Sequence, residues 1–435
     1  MKLSNQPPKG TRDWLPKEFA IRKYIFETWR STCLKFGYQE YLTPIVESAE
    51  VYRAKSGEDV GGSELMSFFD RGERELAIRP EMTPSVTRMV TQFYESDPKP
   101  IRLFSIANFF RNEKPQKGRN REFWQLNADI FGSDSLNADI EIASLAIEIM
   151  IAFGAKEEQF IILVNDRRAI VDFVKTYLKT PEDKIEVSIR ILDKFWKLSN
   201  QEFIARLISE SNATIENPVE LIGFMKGDES ARSKVLKQFE DNAEWSDLQN
   251  YLTKVSELGY SKYVKFDPAM VRGLDYYDGI VFEVYDYRLY LKRLGISTSE
   301  PSVERSLFGG GRYNGLASIF GSNSFPAVGF APGDETTKLF LESWDLIPKN
   351  LKIETYYFPL LGDNLNLDLN YLAKKLRFES KNIVQGLEVQ KLNKAFEYAN
   401  KINSDFVVIF GEDEKTKGEY QIKNLKTGEQ RSFSL

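Results

Sequence analysis

The chain of 435 residues contains no histidine. That excludes a Ser-His-Asp or Cys-His nucleophile system and any histidine-ligated metal. Acid–base work would have to come from carboxylates, tyrosines, lysines or the substrate itself. A single cysteine, Cys33, excludes a disulfide framework and a cysteine metal site. There is no apolar run of about 18 residues and no signal-peptide core at the N-terminus, so a soluble, cytoplasmic protein with no membrane partner is expected. The formal net charge of −5 argues against a globally basic surface, so a nucleic acid would be met by local basic patches. What is present is enough apolar material, 42% with 13% aromatics, for substantial cores, and a length that calls for two or three domains.

Chemistry concentrates in two stretches. Val271-Arg272-Gly273-Leu274-Asp275-Tyr276-Tyr277-Asp278-Gly279-Ile280-Val281-Phe282-Glu283 puts one guanidinium and two adjacent phenols among carboxylates, and Ile280 to Phe282 read as a buried strand. An arginine in a constrained loop can clamp a carboxylate or phosphate with its planar fork, and phenols beside it can hold a polar ring. A hairpin strand with surface charges accounts for the stretch equally well. Further on, Phe308-Gly309-Gly310-Gly311-Arg312-Tyr313-Asn314-Gly315-Leu316 brings backbone close to a bound group and follows it with an arginine. The two together point to a small-molecule site.

Pro7 to Pro16 is a turn-rich opening. Ile21, Tyr24, Ile25, Trp29 and Cys33 fall at helical spacing over Glu18 to Phe36, and Gly37 ends the helix. Tyr38 to Leu42 is strand-like, and Met66–Gly72 with Leu76–Arg79 reads as a hairpin. In the extended Pro80-Glu81-Met82-Thr83-Pro84, Glu81 and Thr83 point the same way and could receive an ammonium group. Alternatively, Thr83 or Ser85 caps a helix from Val86 to Phe93. Ile101 to Glu113 is a strand ending in Arg111 and Glu113. A charged loop with Lys114, Lys117, Arg119 and Arg121 follows, then a second strand, Glu122 to Gly132. On it Gln125, Asn127 and Asp129 alternate with apolar residues and share one face. Such groups cost about 1–3 kcal/mol each when buried unpaired, so a ligand is a natural partner; a solvated outer face is the alternative.

Ser135–Phe153 reads as a helix and Ile161–Asn165 as a short buried strand. Ala169 to Tyr260 reads as helical and polar, with periodic segments at Ile170–Leu178, Ile189–Leu198 and Val235–Leu258. After a linker near Pro348–Leu351, a strand–helix–strand–helix–strand order (Ile353–Phe358, Leu367–Leu376, Asn382–Val384, Leu392–Lys401, Phe406–Phe410) predicts a small α/β domain with a partly parallel sheet. A hairpin, Tyr420–Asn424 with Gln430–Phe433, closes it.

These segments resemble the motifs of histidyl-tRNA synthetases over nearly the whole chain. The helix and strand after Pro16 look like class II motif 1, the Arg111–Asp129 hairpin like motif 2, and the two glycine-bearing stretches like the family's signatures. The resemblance implies an α+β fold: a class II synthetase catalytic core, an antiparallel sheet flanked by helices, with a helical insertion, plus a C-terminal α/β anticodon-binding-like domain. The implied boundaries are 1–168 and 262–347 for the core, 169–261 for the insertion and 350–435 for the last domain. It implies ATP-dependent activation of L-histidine to histidyl-adenylate and transfer to tRNA(His), in a homodimer, with Mg²⁺ on the ATP phosphates.

Carried over residue by residue, Arg272 and Arg111 would be catalytic. Glu81, Met82, Thr83, Arg111, Gln125, Asp129, Arg272, Tyr276 and Tyr277 would bind histidine, and Arg111, Glu113 and Arg312 would bind ATP. Asp129 would accept a hydrogen bond from the imidazole, with Tyr276 and Tyr277 lining its pocket. Arg272 would bridge the histidine carboxylate and the α-phosphate. The motif 2 loop would meet the tRNA acceptor end, and Lys374, Lys375, Arg377, Lys391 and Lys394 could contact phosphates.

Two departures stand out. Trp124 occupies a position where the family commonly has histidine. In Gly333-Asp334-Glu335-Thr336, the motif 3 arginine is replaced by Thr336, with Lys338 two residues later. That loss leaves a second possibility, a non-catalytic paralogue that binds tRNA or histidine in a regulatory role.

Overall fold

The computed structural model describes residues 4–54, 59–271 and 277–435. The chain divides into two compact units, Met1–Pro348 and Lys349–Leu435.

The first unit is built on an eight-stranded sheet. Its spatial order is Gln39–Glu40, Ile101–Phe110, Glu122–Phe131, Ala327–Phe330, Phe308–Arg312, Ile280–Asp286, Phe160–Asp166, Val264–Phe266. The inner pairings are antiparallel; only the two edge pairings are parallel. The two ten-residue strands pair without a break, from Ile101 opposite Phe131 to Phe110 opposite Glu122. Period-two alternation therefore sorts their side chains cleanly. Phe104, Ile106, Leu126, Ala128 and Ile130 face one core, whereas Leu103, Ala107, Phe109 and Phe131 face another.

The first core is covered by two helices. Pro16–Lys35 has proline in its first turn, where no amide partner is lost, and ends at Gly37 with φ +80°. Ile25, Trp29 and Cys33, one turn apart, are buried in it. Trp29 is wholly covered, so truncation to alanine would cost about 3–5 kcal/mol. Leu136–Ala152, capped by Ser135, packs beside it. The strand expected over Tyr38–Leu42 shortens to Gln39–Glu40 because it pairs on one side only.

Between Arg167 and Tyr260 lies a run of short helices, as the pattern predicts, but more broken. The Val235–Leu258 periodicity divides at Asn242, whose side chain accepts from the amides of Glu244 and Trp245 and so starts a new helix, Ala243–Val255. Ile189–Leu198 likewise splits into a helix ending at Leu192 and a turn at Phe195–Lys197. No helix of the described residues is long and apolar enough to cross a membrane.

The second unit carries a five-stranded sheet in the order Asn382–Val389, Thr355–Leu360, Phe406–Ile409, Glu419–Asn424, Gln430–Ser434. The first two pairings are parallel and the last two antiparallel, giving the expected α/β domain with a closing hairpin. Helices Asn366–Phe378 and Leu392–Lys401 supply the crossovers, with Leu369, Leu372, Ala373 and Leu376 inward and Lys374, Lys375 and Arg377 exposed.

Candidate active site

A cavity of about 340 Å³ opens on the second face of the large sheet. Its walls come from the long hairpin, the Glu81–Thr83 corner, Tyr277, Glu283, the Arg305–Gly309 segment, Tyr313 and the Gly329–Thr336 turn.

The polar stripe forms one wall: Gln125, Asn127 and Asp129 all line the cavity. Asp129 is 2% exposed, and Tyr313 donates its hydroxyl to Oδ1 across 2.6 Å. Oδ2 has no hydrogen-bond partner among the described residues. Burial pushes the carboxyl up to about 7, with the Tyr313 hydrogen bond pulling the other way. The carboxylate fits because the neighbouring strand places Gly329 directly opposite; a Cβ there would lie 2.0 Å from Oδ1. Gln125 donates Nε2 to the carbonyl of Ala331 at 3.2 Å. Asn127 Oδ1, like Asp129 Oδ2, lacks a partner among the described residues. Tyr277 sits over Gly311, where any Cβ would meet its ring at 2.9 Å. The phenol on Asp129 is thus Tyr313, and Tyr277 lines the same cavity; Tyr276 lies outside the described residues, as does Arg272.

At the corner beside it, Glu81 and Thr83 both line the cavity. No side chain caps the helix Thr83–Thr91, and the Ser85 hydroxyl is spent on Tyr52 at 2.8 Å, so the capping alternative does not describe this corner. The side chain of Met82 points away: it is fully buried in the core, its sulfur accepting from Thr43. The corner is not the extended segment expected: Met82 has helical backbone angles and Thr83 opens the helix Thr83–Thr91, so a turn, not strand alternation, sends Met82 inward.

The opposite end is rich in guanidinium groups. Arg111 donates Nε to the carbonyl of Pro80 at 3.0 Å and lies over the Phe123 ring at 5.2 Å, which fixes it beside Glu81. Arg119, expected in a tRNA-facing loop, folds back instead. It donates to Glu113 at 2.8 Å, and both line the cavity. Arg121 also turns inward, onto the carbonyl of Glu113, leaving Lys114 and Lys117 as the exposed cations of that loop. Arg305 joins this wall. Burial, and then Arg119 beside it, press its guanidinium down to about 10.

The floor near Thr336 is held from the N-terminal segment. Arg22 is 4% exposed and forms ion pairs with Asp334 and, at 3.1 Å, with Glu335, which Arg12 also reaches at 2.7 Å. Both guanidinium groups lie over the Trp14 ring. Asp334 also accepts from the Trp124 amide at 2.9 Å, tying the turn to the long hairpin. Burial outweighs Arg22 and holds the Asp334 carboxyl at about 7.

Arg312 does not line the cavity. Its Nε donates to Asp139 at 3.0 Å, and its other nitrogens meet the carbonyls of Ser133 and Ser135, so it clamps the start of the helix Leu136–Ala152. Lys338 is paired along its own helix with Glu342 at 3.4 Å. Two residues missed by pattern reading are at the site: Tyr313, readable only as the phenol next to Arg312 in the glycine stretch, and Arg305, in an aperiodic segment.

The profile of the histidyl-tRNA synthetase family matches residues 10–334, and that of the anticodon binding domain matches residues 361–435. Histidine–tRNA ligase of Leptospira biflexa serovar Patoc is 36% identical over 100% of this chain and 96% of its own length. That of Pyrococcus horikoshii is 35% identical over 98% of this chain and 96% of its own. Among solved structures, the histidyl-tRNA synthetase of Nostoc sp. PCC 7120 superposes with a TM-score of 0.80 at 24% identity, covering 100% of this chain and 97% of that one. An ATP phosphoribosyltransferase regulatory subunit/histidyl-tRNA synthetase from Bacillus halodurans C superposes at 0.75 with 22% identity, over 94% and 98%. At such identities these superpositions speak for the fold alone.

Proposed function

The chain belongs to the histidyl-tRNA synthetase family, and from that premise we propose that the cavity joins histidine to ATP and passes the product to tRNA. The observation that carries this reading is the buried Asp129 carboxylate, one oxygen held by Tyr313 and the other without a partner among the described residues. An imidazole N–H satisfies that second oxygen, and an apolar side chain of equal size does not. Glu81 and Thr83, which line the cavity, would receive the α-ammonium group, and Gln125 would meet the backbone of the substrate.

In the first step a histidine carboxylate oxygen attacks the α-phosphorus of ATP, and pyrophosphate leaves. In the second, a hydroxyl of the terminal ribose of tRNA attacks the carbonyl carbon, and AMP leaves. The chain contains no histidine to act as a base, and neither step needs a protein nucleophile. What the protein supplies is position and fixed positive charge. Arg111, held by Pro80 and Phe123, is placed for the charge that develops on the α-phosphate. Arg272 would bridge that phosphate and the histidine carboxylate.

Among the described residues no three acidic or cysteine side chains converge to hold a cation, and Glu113 is engaged by Arg119. Among the described residues there is thus no cage for Mg²⁺, which would come with the nucleotide and neutralise its phosphates. The C-terminal unit would meet tRNA through Lys374, Lys375 and Arg377, contacts that position without reading sequence. Leu34, Leu42 and Ile45 expose apolar surface on the helix–strand segment that would pair two copies. With tRNA as its substrate, the protein would work in the cytoplasm.

The test is histidine-dependent exchange of pyrophosphate into ATP without tRNA, in the parent and in Arg272→Ala. Exchange that collapses in the variant supports the reading. No exchange in the parent at saturating ATP favours a regulatory paralogue.

A further inference from the structure

We propose that Arg305 is the guanidinium that grips the terminal phosphates of ATP, from the segment leading into the strand Phe308–Arg312. The proposal rests on the ATP reading of the cavity and deepens it.

Three guanidinium groups, Arg111, Arg119 and Arg305, share one wall. Arg111 and Arg119 have protein partners, the Pro80 carbonyl and the Glu113 carboxylate. Arg305 Nε is buried without a hydrogen bond among the described residues, and only the fields of Glu113 and Glu283 oppose its charge. Glu283, the other carboxylate on this wall, already accepts from Ser306 at 3.1 Å and from Tyr285. A partly buried cation whose nearby carboxylates, Glu113 and Glu283, are already engaged by other side chains, next to two more cations, is costly in isolation. A polyphosphate with several negative oxygens turns that cost into binding, and the planar fork of arginine suits it.

Thr336 ties the two positions together. It lines the same cavity, 2% exposed, and its hydroxyl donates to the carbonyl of Leu307 at 2.8 Å. That bond fixes the backbone two residues beyond Arg305. A long cation at 336 and one at 305 would project into the same space. The chain has a small hydroxyl at one position and the guanidinium at the other.

The experiment is histidine-dependent ATP–pyrophosphate exchange with ATP and histidine varied separately, in the parent, Arg305→Ala, Arg305→Met and Arg305→Ala/Thr336→Arg. The expected result is a rise in the KM for ATP on the order of tenfold or more in both single variants. The KM for histidine and the melting temperature stay at the parent values. Thr336→Arg recovers part of the lost ATP affinity. A KM for ATP within twofold of the parent overturns the proposal. So does a parallel rise in both KM values with a lowered melting temperature, which marks a structural role, and so does a double variant no better than the single. If the parent shows no exchange, the ligase reading fails instead. Equilibrium dialysis with ATP then decides Arg305: weaker binding in Arg305→Ala supports it, and equal binding overturns it.

Discussion

Tyr313 and Asp129 are 184 residues apart in sequence and 2.6 Å apart in space, phenol to carboxylate, across a strand made thin by Gly329. The hydrogen bond commits one carboxylate oxygen and leaves the other for a ligand. Asp129→Asn should raise the KM for histidine in pyrophosphate exchange by roughly 10- to 100-fold, and Tyr313→Phe by less, with the KM for ATP unchanged in both. Equal rises for both substrates would rule out a ring-binding role.

The same carboxylate makes stability depend on pH. Its folded value, about 7, lies above its ordinary 3.8, because burial disfavours the charge. The folded state therefore keeps a proton that the unfolded chain has lost between about pH 4 and pH 7, and stability falls as pH rises through that window. Asp129→Asn has no such proton. Its unfolding free energy should exceed the parent's by an amount that grows from near zero at pH 4 to at most about 4 kcal/mol at pH 8. Urea melts at pH 5 and pH 8 check this, with Asp334 common to both proteins.

Removing Arg22 strips Asp334 of its main counter-charge in a buried setting. Arg22→Met should destabilise by about 3–5 kcal/mol at pH 8, where the carboxylate is ionised and its charge would be buried without a partner. The loss should shrink at pH 6, as Asp334 takes up a proton. Adding Asp334→Asn should recover much of the loss at pH 8 and little at pH 6. A pH-independent loss would show that packing on Trp14, not charge, is what Arg22 provides.

Gly329→Ala forces a methyl group to within 2.0 Å of Asp129 Oδ1 and 2.8 Å of the Ala128 carbonyl. Overpacking of this kind costs about 1–3 kcal/mol. The Asp129 side chain must move, so histidine-dependent exchange should fall at least tenfold while thermal melting shows a folded protein. Unaltered kinetics would mean the carboxylate is not held where the ring binds.

Much of this was legible in the chain itself. The Gln125-Leu126-Asn127-Ala128-Asp129 alternation announced both the strand and its polar face, because period two leaves no other way to seat those side chains. Glu81 and Thr83 both reach the cavity, but through a turn into a helix and not through the extended segment expected of them. The helical turn at Met82 sends that side chain inward, which a motif match overlooks. Arg312 was misplaced because its partner, Asp139, sits on another element, and only folding shows that its guanidinium is already engaged. Arg305 has no periodic neighbours and no turn signal, and only the cavity gives it meaning. The helix break at Asn242 was visible as a capping residue but hidden by apolar spacing that continued across it.

The proposed binding of an imidazole ring at Asp129 and Tyr313, in a protein without a single imidazole, has a spectroscopic consequence. In proton spectra of the complex, every imidazole carbon-bound proton signal belongs to the bound amino acid. The protonation state of the substrate ring can thus be followed inside the cavity, with no isotope labelling, while the protein contributes nothing to that titration curve except the carboxylates that shape it.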